Sequence, residues 1–125
     1  MHFQQKDIEL YLQGVWDAIE AGKYQIAPRP KNRKLLTEYL ITEEEEVDII
    51  KGLTPMDFSN AVPNDHKGRE DETLYIFGKD ISLLERFGNQ ERNVSLYIKF
   101  NKISDLYLFV ISFHEQVYPL SYYFK

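Results

Sequence analysis

The sequence contains no cysteine among its 125 residues. A disulfide framework and thiolate metal sites are therefore excluded. Long hydrophobic runs are also missing: the longest is the segment 106–113, far shorter than the roughly 20 apolar residues that cross a bilayer. The first residues lack the basic-then-apolar pattern of a signal peptide. These absences predict a soluble protein of the cytoplasm that has no contact with a membrane.

Several catalytic motifs are missing as well. The six glycines are scattered, and none stands in a phosphate-cradling loop. The three histidines, His2, His66 and His114, are too far apart to form a paired zinc motif. No Gly-x-Ser-x-Gly elbow occurs. The sequence therefore disfavours a metal enzyme or a covalent hydrolase, and we expect no cofactor and no metal.

The charge of the chain is acidic overall but unevenly distributed. A net charge of −5 disfavours broad nucleic-acid binding, which needs a basic surface. However, residues 23–34 contain five cations and no acid, whereas residues 43–48 contain five acids. The pattern allows a local basic patch, to which Arg29 and Lys31 belong, on an otherwise acidic protein.

The length and composition predict one packed domain over residues 1–125, because 43% of the residues are hydrophobic and 28% are charged. Apolar residues at helical spacing predict a first helix over residues 7–21, with Trp16 buried under the sheet. A short strand is allowed at 24–26. Further helices are predicted over 31–40, over 42–51 from a Thr42–Glu45 capping box, and over 54–61.

The second half of the chain is rich in strand patterns. A polar loop over 63–72, either plain or substrate-contacting, precedes a strand over 73–77 that Gly78 ends, and residues 82–92 form a connection or a brief helix. Alternation predicts a strand over 94–100, a turn over 101–105 and a central strand over 106–113. The fold class is therefore α+β, with N-terminal helices packed on one face of a C-terminal antiparallel sheet of three or more strands.

The pairing register of the last two strands decides which side chains meet. If Phe100 pairs with Asp105, one face carries a polar set: Tyr97, Lys99, Ser112 and His114. The other face then carries a continuous apolar layer: Val94, Leu96, Ile98, Phe100, Tyr107, Phe109, Ile111 and Phe113. If Asn101 pairs with Asp105 instead, Tyr97 and His114 lie on opposite faces. The single apolar layer favours the first register.

An ordered set of short segments carries a family resemblance. These segments are Gly22-Lys23-Tyr24, Pro28-Arg29, Ile49-Ile50-Lys51-Gly52-Leu53-Thr54, Asp57-Phe58, Phe77-Gly78-Lys79-Asp80-Ile81, Leu96-Tyr97-Ile98-Lys99, Ile111-Ser112-Phe113-His114-Glu115 and Tyr118-Pro119-Leu120. Together they resemble the MqsR-type toxins of bacterial type II toxin–antitoxin systems, which belong to the wider RelE-like group. The resemblance spans nearly the whole chain in the right order.

The resemblance implies a RelE-like fold, an endoribonuclease that cuts mRNA without metal, and a cognate antitoxin as partner. In this family a tyrosine and a cation on the terminal hairpin contribute to the site, and they correspond here to Tyr97 and His114. The family also uses a lysine shortly after the Asp-Phe pair. Asn60 stands at that position here, and an amide neither carries charge nor transfers a proton.

Metal-free RNA cleavage needs a base, an acid and cations around the phosphate. Histidine is a natural proton shuttle, lysine and arginine hold phosphate, and tyrosine can stack on a base. The candidate catalytic residues are His114, Tyr97 and Lys99, and the candidate RNA-binding residues are Lys79, Arg69, Arg29 and Lys31.

Plain structural roles remain open for these residues. A histidine at the end of a strand can be satisfied by a backbone carbonyl or by Glu115, and Tyr97 and Lys99 suit an amphipathic face. A different class of function also remains: a non-catalytic protein-binding module, such as a degenerate toxin or a phage-encoded binder of a host protein. The acidic balance and Asn60 favour that alternative.

Overall fold

A computed structural model describes residues 2–104 and 106–125 of the chain. The elements in chain order are α1 (Gln5–Glu20), β1 (Tyr24–Ile26), α2 (Pro30–Glu38), α3 (Glu43–Lys51), a 3-10 turn (Pro55–Asp57), β2 (Phe58–Pro63), β3 (Thr73–Leu84), β4 (Glu91–Ile103) and β5 (Tyr107–Glu115). The five strands form one sheet in the order β1-β5-β4-β3-β2. β1 is parallel to β5 and the other neighbours are antiparallel, so the fold is α+β with a mixed sheet.

No helix in the described part of the chain is long and apolar enough to cross a membrane.

The helices confirm most of the predicted pattern. α3 begins at the predicted capping box, where the Thr42 hydroxyl accepts from the Glu45 amide at 3.1 Å. α1 buries Ile8, Val15 and Ile19, but Trp16 is 46% exposed, so its predicted burial is wrong. The physical reason is helical geometry: Trp16 follows Val15 and projects about 100° away from it around the helix axis, beside the buried stripe.

The predicted helix over 54–61 is wrong beyond its first turn. Thr54 and Asp57 cap a single 3-10 turn, after which the chain enters edge strand β2. Phe58 is fully buried and pairs with Phe77, and its burial in an aromatic cluster outweighs the helical start signal. Pro63 lies at the end of this edge strand, where a missing amide donor is tolerated.

Strand β3 does not break at Gly78, contrary to the prediction, and residues 82–84 continue it. The C-terminal segment crosses the sheet at this glycine. A Cβ atom at Gly78 would lie 2.9 Å from Leu120 Cδ1, and closer still to the Tyr122 hydroxyl. Gly78 is thus required for close packing and is not a strand breaker.

The register of β4 with β5 confirms the shared polar face but not the predicted apolar layer. Tyr97 pairs with His114 and Lys99 with Ser112, whereas Phe100 pairs with Val110; its predicted partner Asp105 lies outside the described residues. The pairing register therefore shifts by one residue, and Ile111 is the extra residue of a β-bulge. Because of the bulge, the β5 side chains before Ile111 point to the face opposite the predicted one.

The bulge decides which residues of β5 enter the core. Leu108, Val110 and Phe113 are fully buried, whereas Phe109, predicted to be in the apolar layer, is 40% exposed. Tyr107 and Ile111 are only partly buried. The prediction that this strand lies inside the sheet is confirmed, since β5 is flanked by β1 and β4. One core cluster joins the buried face of the sheet to apolar residues of all three helices.

Candidate active site

A cleft of approximately 560 Å³ lies on the face of the sheet that is opposite the core. Its floor is the polar face of β4 and β5: Tyr97, Lys99, Ser112 and His114. The start of α2 forms one wall with Arg29, Pro30, Lys31 and Asn32. The segment 117–120, termed here the tail loop, forms the other wall with Val117, Tyr118, Pro119 and Leu120. We refer to this hollow as the basic cleft.

Asn32 fixes the first wall against the floor. β1 pairs with β5 only as far as Val110, and the Ala27 amide adds one more bond to the Val110 carbonyl. Beyond that point the Asn32 side chain makes the hydrogen bonds to β5 that a neighbouring strand would otherwise make. Its amide nitrogen donates to the carbonyls of Ala27 (2.8 Å) and Ile111 (3.1 Å), and its oxygen accepts from the buried Phe113 amide (2.9 Å).

His114 is held in one orientation at the floor of the basic cleft. Its ring stacks on Tyr97 with centroids 5.2 Å apart and planes 16° from parallel. Nδ1 lies 2.8 Å from the carbonyl oxygen of Glu115. Because a carbonyl can only accept, Nδ1 carries the proton, and Nε2 of the neutral ring is left as a free base.

The ionisable groups of the floor are shifted toward their neutral forms. Burial lowers the pKa of His114, and Lys31, Arg29 and Lys99 add to that shift against the opposing bond to Glu115. Burial and the neighbouring Arg29 lower the pKa of Lys99, although Asp65 of the loop before β3 opposes the shift. Burial likewise raises the pKa of the Tyr97 hydroxyl. Titratable groups whose pKa values are shifted by burial and by neighbouring charges are typical of functional sites.

The basic cleft has one sign of charge. Three cations line it, namely Arg29, Lys31 and Lys99, and none of the described residues that line it is acidic. Within residues 2–104 and 106–125 these cations form no ion pair. On a chain of net charge −5, unpaired cations around a hollow favour an anionic ligand such as a phosphodiester.

Two of the predicted RNA-binding residues lie outside the basic cleft. Lys79 forms an ion pair with Asp57 at 3.3 Å, and its Cα partner in β4 is the core residue Leu96. Arg69 pairs with Glu72 at 3.2 Å in the loop before β3. Lys79 and Arg69 therefore do not join His114 and Tyr97 in the basic cleft, and RNA binding by these two residues stays a prediction.

Asn60 shares a face with the site but is distant from it. Asn60 pairs with Ile76 of β3, Ile76 pairs with Lys99 of β4, and Lys99 pairs with Ser112 of β5. Asn60 is thus two strands from Lys99, or about 10 Å at a strand spacing of about 4.8 Å. Its side-chain oxygen accepts from the Ala61 amide.

Sequence reasoning predicted Arg29 and Lys31 of the first wall but missed Asn32 and gave no role to the tail loop. Asn32 carries no local signal, because the Phe113 amide that it binds is 81 positions away. The tail loop residues Tyr118 and Pro119 enter the sequence predictions only through the family resemblance. The sequence signal that could have indicated their role is an aromatic residue and a proline shortly after the strand that carries the candidate histidine.

Comparison of the chain with family models, curated proteins and solved structures gave no match. Among the described residues no three His, Asp or Glu side chains are grouped so that they could share a metal ion. Function is therefore inferred from the residues of the basic cleft.

Proposed function

We propose that the protein is a metal-independent endoribonuclease that cleaves single-stranded mRNA in the basic cleft. The observation that carries this proposal is the setting of His114: a half-buried imidazole with a free Nε2, surrounded by Lys99, Arg29 and Lys31. An RNA phosphodiester supplies both the negative charge that these cations attract and the 2′-hydroxyl proton that a base removes.

The groups that line the basic cleft support the following steps. Nε2 of His114 accepts the 2′-hydroxyl proton, and the 2′-oxygen attacks the adjacent phosphorus. Lys99, Arg29 and Lys31 stabilise the extra negative charge of the pentacoordinate phosphorane. Lys99, whose pKa is lowered by burial, donates a proton to the departing 5′-oxygen. The products are a 2′,3′-cyclic phosphate and a 5′-hydroxyl end.

The sequence resemblance supports a biological setting for this activity. We propose that the chain is an MqsR-type toxin of RelE-like fold that acts on mRNA in the cytoplasm and is blocked by a cognate antitoxin. The unpaired cations of the basic cleft would suit an inhibitor segment that carries acidic side chains.

The decisive assay mixes purified protein with a long mRNA in the presence of EDTA, with and without ribosomes. We expect cleavage, with 2′,3′-cyclic phosphate and 5′-hydroxyl ends at the cut sites. Growth arrest on expression should accompany it. No cleavage in either condition and no growth arrest would refute the enzyme and leave the non-catalytic binding module.

The pH dependence of cleavage should report the neutral form of His114. We expect kcat/KM to fall at acidic pH with a midpoint below the ordinary histidine pKa of about 6.5, because burial and the neighbouring cations lower the pKa of His114. Lys31→Ala removes one of these cations, so the midpoint should move to higher pH whatever the loss in maximal rate. NMR titration of the His114 ring checks the assignment. A rate that instead rises as pH falls through this range would contradict the role of His114 as base.

Replacing Lys99 should remove one phosphate contact from RNA binding. For single-stranded nucleic acid, each neutralised phosphate contributes about 0.7 to the slope of log K against log salt concentration. Lys99→Ala is therefore expected to weaken binding and to reduce that slope by about 0.7, measured by anisotropy with an uncleavable RNA. Lys51→Ala, which removes a lysine paired with Glu20 outside the basic cleft, is the matched control and should leave the slope unchanged. Equal slopes for wild type and Lys99→Ala would contradict the assignment.

A further inference from the structure

The tail loop is fixed at both ends by hydrogen bonds. At its start, the Gln116 amide donates to the Ser95 carbonyl at 2.8 Å, and the Gln116 side-chain nitrogen donates to the Leu96 carbonyl at 2.9 Å. The oxygen of the same side chain accepts from the Leu120 amide at 3.3 Å, which closes the loop on itself. Pro119 restricts the backbone between these anchors.

The chain after the loop is also anchored to the sheet. The Ser59 hydroxyl donates to the Ser121 carbonyl at 2.6 Å, and the Tyr123 amide donates to the Phe58 carbonyl at 2.9 Å. Gly78 allows this close crossing, since any side chain there would displace Leu120 and Tyr122. The tail loop is therefore a rigid rim of the basic cleft.

The rigid rim nevertheless leaves its apolar side chains in solvent. Tyr118 is 79% exposed and Val117 is 60% exposed, and both line the basic cleft. The core does not use them, whereas Tyr123 and Phe124 of the same segment pack against it. An exposed aromatic ring on a fixed backbone, opposite unpaired cations, matches the way in which proteins hold single-stranded nucleic acid: phosphates on cations and bases on aromatic faces.

We propose that Tyr118 is a stacking platform for a nucleobase of the RNA, next to the phosphate held by Lys99, Arg29 and Lys31. The inference rests on the proposed function, because it requires RNA in the basic cleft. Stacking on an aromatic face accepts any base, so Tyr118 sets the affinity for the strand and its path past His114. Preorganisation of the loop reduces the loss of conformational entropy on binding.

The chemistry of the rim favours RNA over a protein partner at this place. A protein partner would need a broad apolar or acidic surface to match the rim and the basic cleft together. A nucleotide offers a flat apolar base and an anionic phosphate within one small unit, which fits a cleft of approximately 560 Å³ with one apolar and one cationic wall.

The test measures binding of a fluorescein-labelled 2′-O-methyl tetranucleotide by anisotropy. Tyr118→Ala should weaken binding by about 5- to 160-fold, the range for loss of one base–aromatic stack. Tyr118→Phe retains the ring and should bind as wild type does. Phe87→Ala removes an equally exposed aromatic (85%) that does not line the basic cleft, and should have no effect.

Two further measurements separate stacking from electrostatics. An abasic tetranucleotide should bind wild type and Tyr118→Ala equally, because it has no base to stack. The salt slope of Tyr118→Ala should equal that of wild type, since no phosphate contact is removed. Because the RNA cannot be cleaved, failure of the cleavage assay leaves this outcome intact. Unchanged affinity in Tyr118→Ala would overturn the inference and favour the tail loop as a surface for a protein partner; equal weakening for the abasic strand would overturn it as well.

Discussion

Replacing His114 with alanine is expected to lower the rate of RNA cleavage by about 10²–10⁴-fold, the typical contribution of a positioned acid–base group. The reason is geometric: Nδ1 is engaged by the Glu115 carbonyl, which leaves Nε2 as the only free base on the ring at the floor of the basic cleft. The measurement is the single-turnover rate on an mRNA in EDTA. RNA affinity should change far less than the rate.

The fold should survive this substitution, since His114 is half-buried and lies on the face of the sheet opposite the core. A circular dichroism spectrum and a melting curve close to those of wild type establish that point. His66→Ala is the matched control, because His66 is exposed in the loop before β3 and does not line the basic cleft. A His114→Ala protein that folds and cleaves at the wild-type rate would exclude His114 from the chemistry.

The second large effect concerns stability. Asn32→Ala is expected to reduce the free energy of unfolding by about 2–4 kcal/mol, since the buried Phe113 amide left without a partner costs about 1–3 kcal/mol and the two partly buried carbonyls add less. Asn32 is 4% exposed, and its side chain serves three backbone groups: the Ala27 and Ile111 carbonyls and the Phe113 amide. Urea unfolding followed by circular dichroism measures the loss.

Two variants show whether the bonds of Asn32 are responsible. Asn93→Ala, at an exposed position of β4, should change stability by less than about 0.5 kcal/mol. Asn32→Asp keeps an oxygen for the Phe113 amide but loses both donated bonds, and it buries a charge near the carbonyls, so it should also destabilise the protein. If Asn32→Ala costs under about 1 kcal/mol, the amide is not the element that joins α2 to β5.

Local patterns were sufficient where structure depends on neighbours in sequence. The capping box at Thr42 set the start of α3, and alternation in β4 placed Tyr97 and Lys99 on the side opposite the core. Because β4 and β5 share this face, the predicted residues His114, Tyr97 and Lys99 lie together in the basic cleft. Arg29 and Lys31, at the start of α2, line the same cleft.

The remaining features depend on contacts that a local pattern does not encode. The bulge at Ile111 exchanged the buried and exposed residues of β5, because one extra residue reverses alternation. Packing of Phe58 against Phe3 and Phe77 favours an edge strand at this position over continuation of the helical turn. Asn32 and Gly78 acquire their roles from segments more than 35 positions away, namely β5 and the C-terminal segment.

The long sequence separation of these contacts also determines when the site forms during folding. The strands β3, β4 and β5 are joined in sequence by short connections and can pair early, whereas the α2 wall of the basic cleft depends on the bond of Asn32 to Phe113, 81 positions away. Tyr24 of β1 pairs with Leu108, and the Phe3 amide donates to the Tyr123 hydroxyl across 120 positions. Closing such large loops carries a high entropy cost and slows folding. A nascent or partly unfolded chain can therefore hold its central hairpins without an assembled cleft, and the basic cleft becomes a property of the completed fold alone.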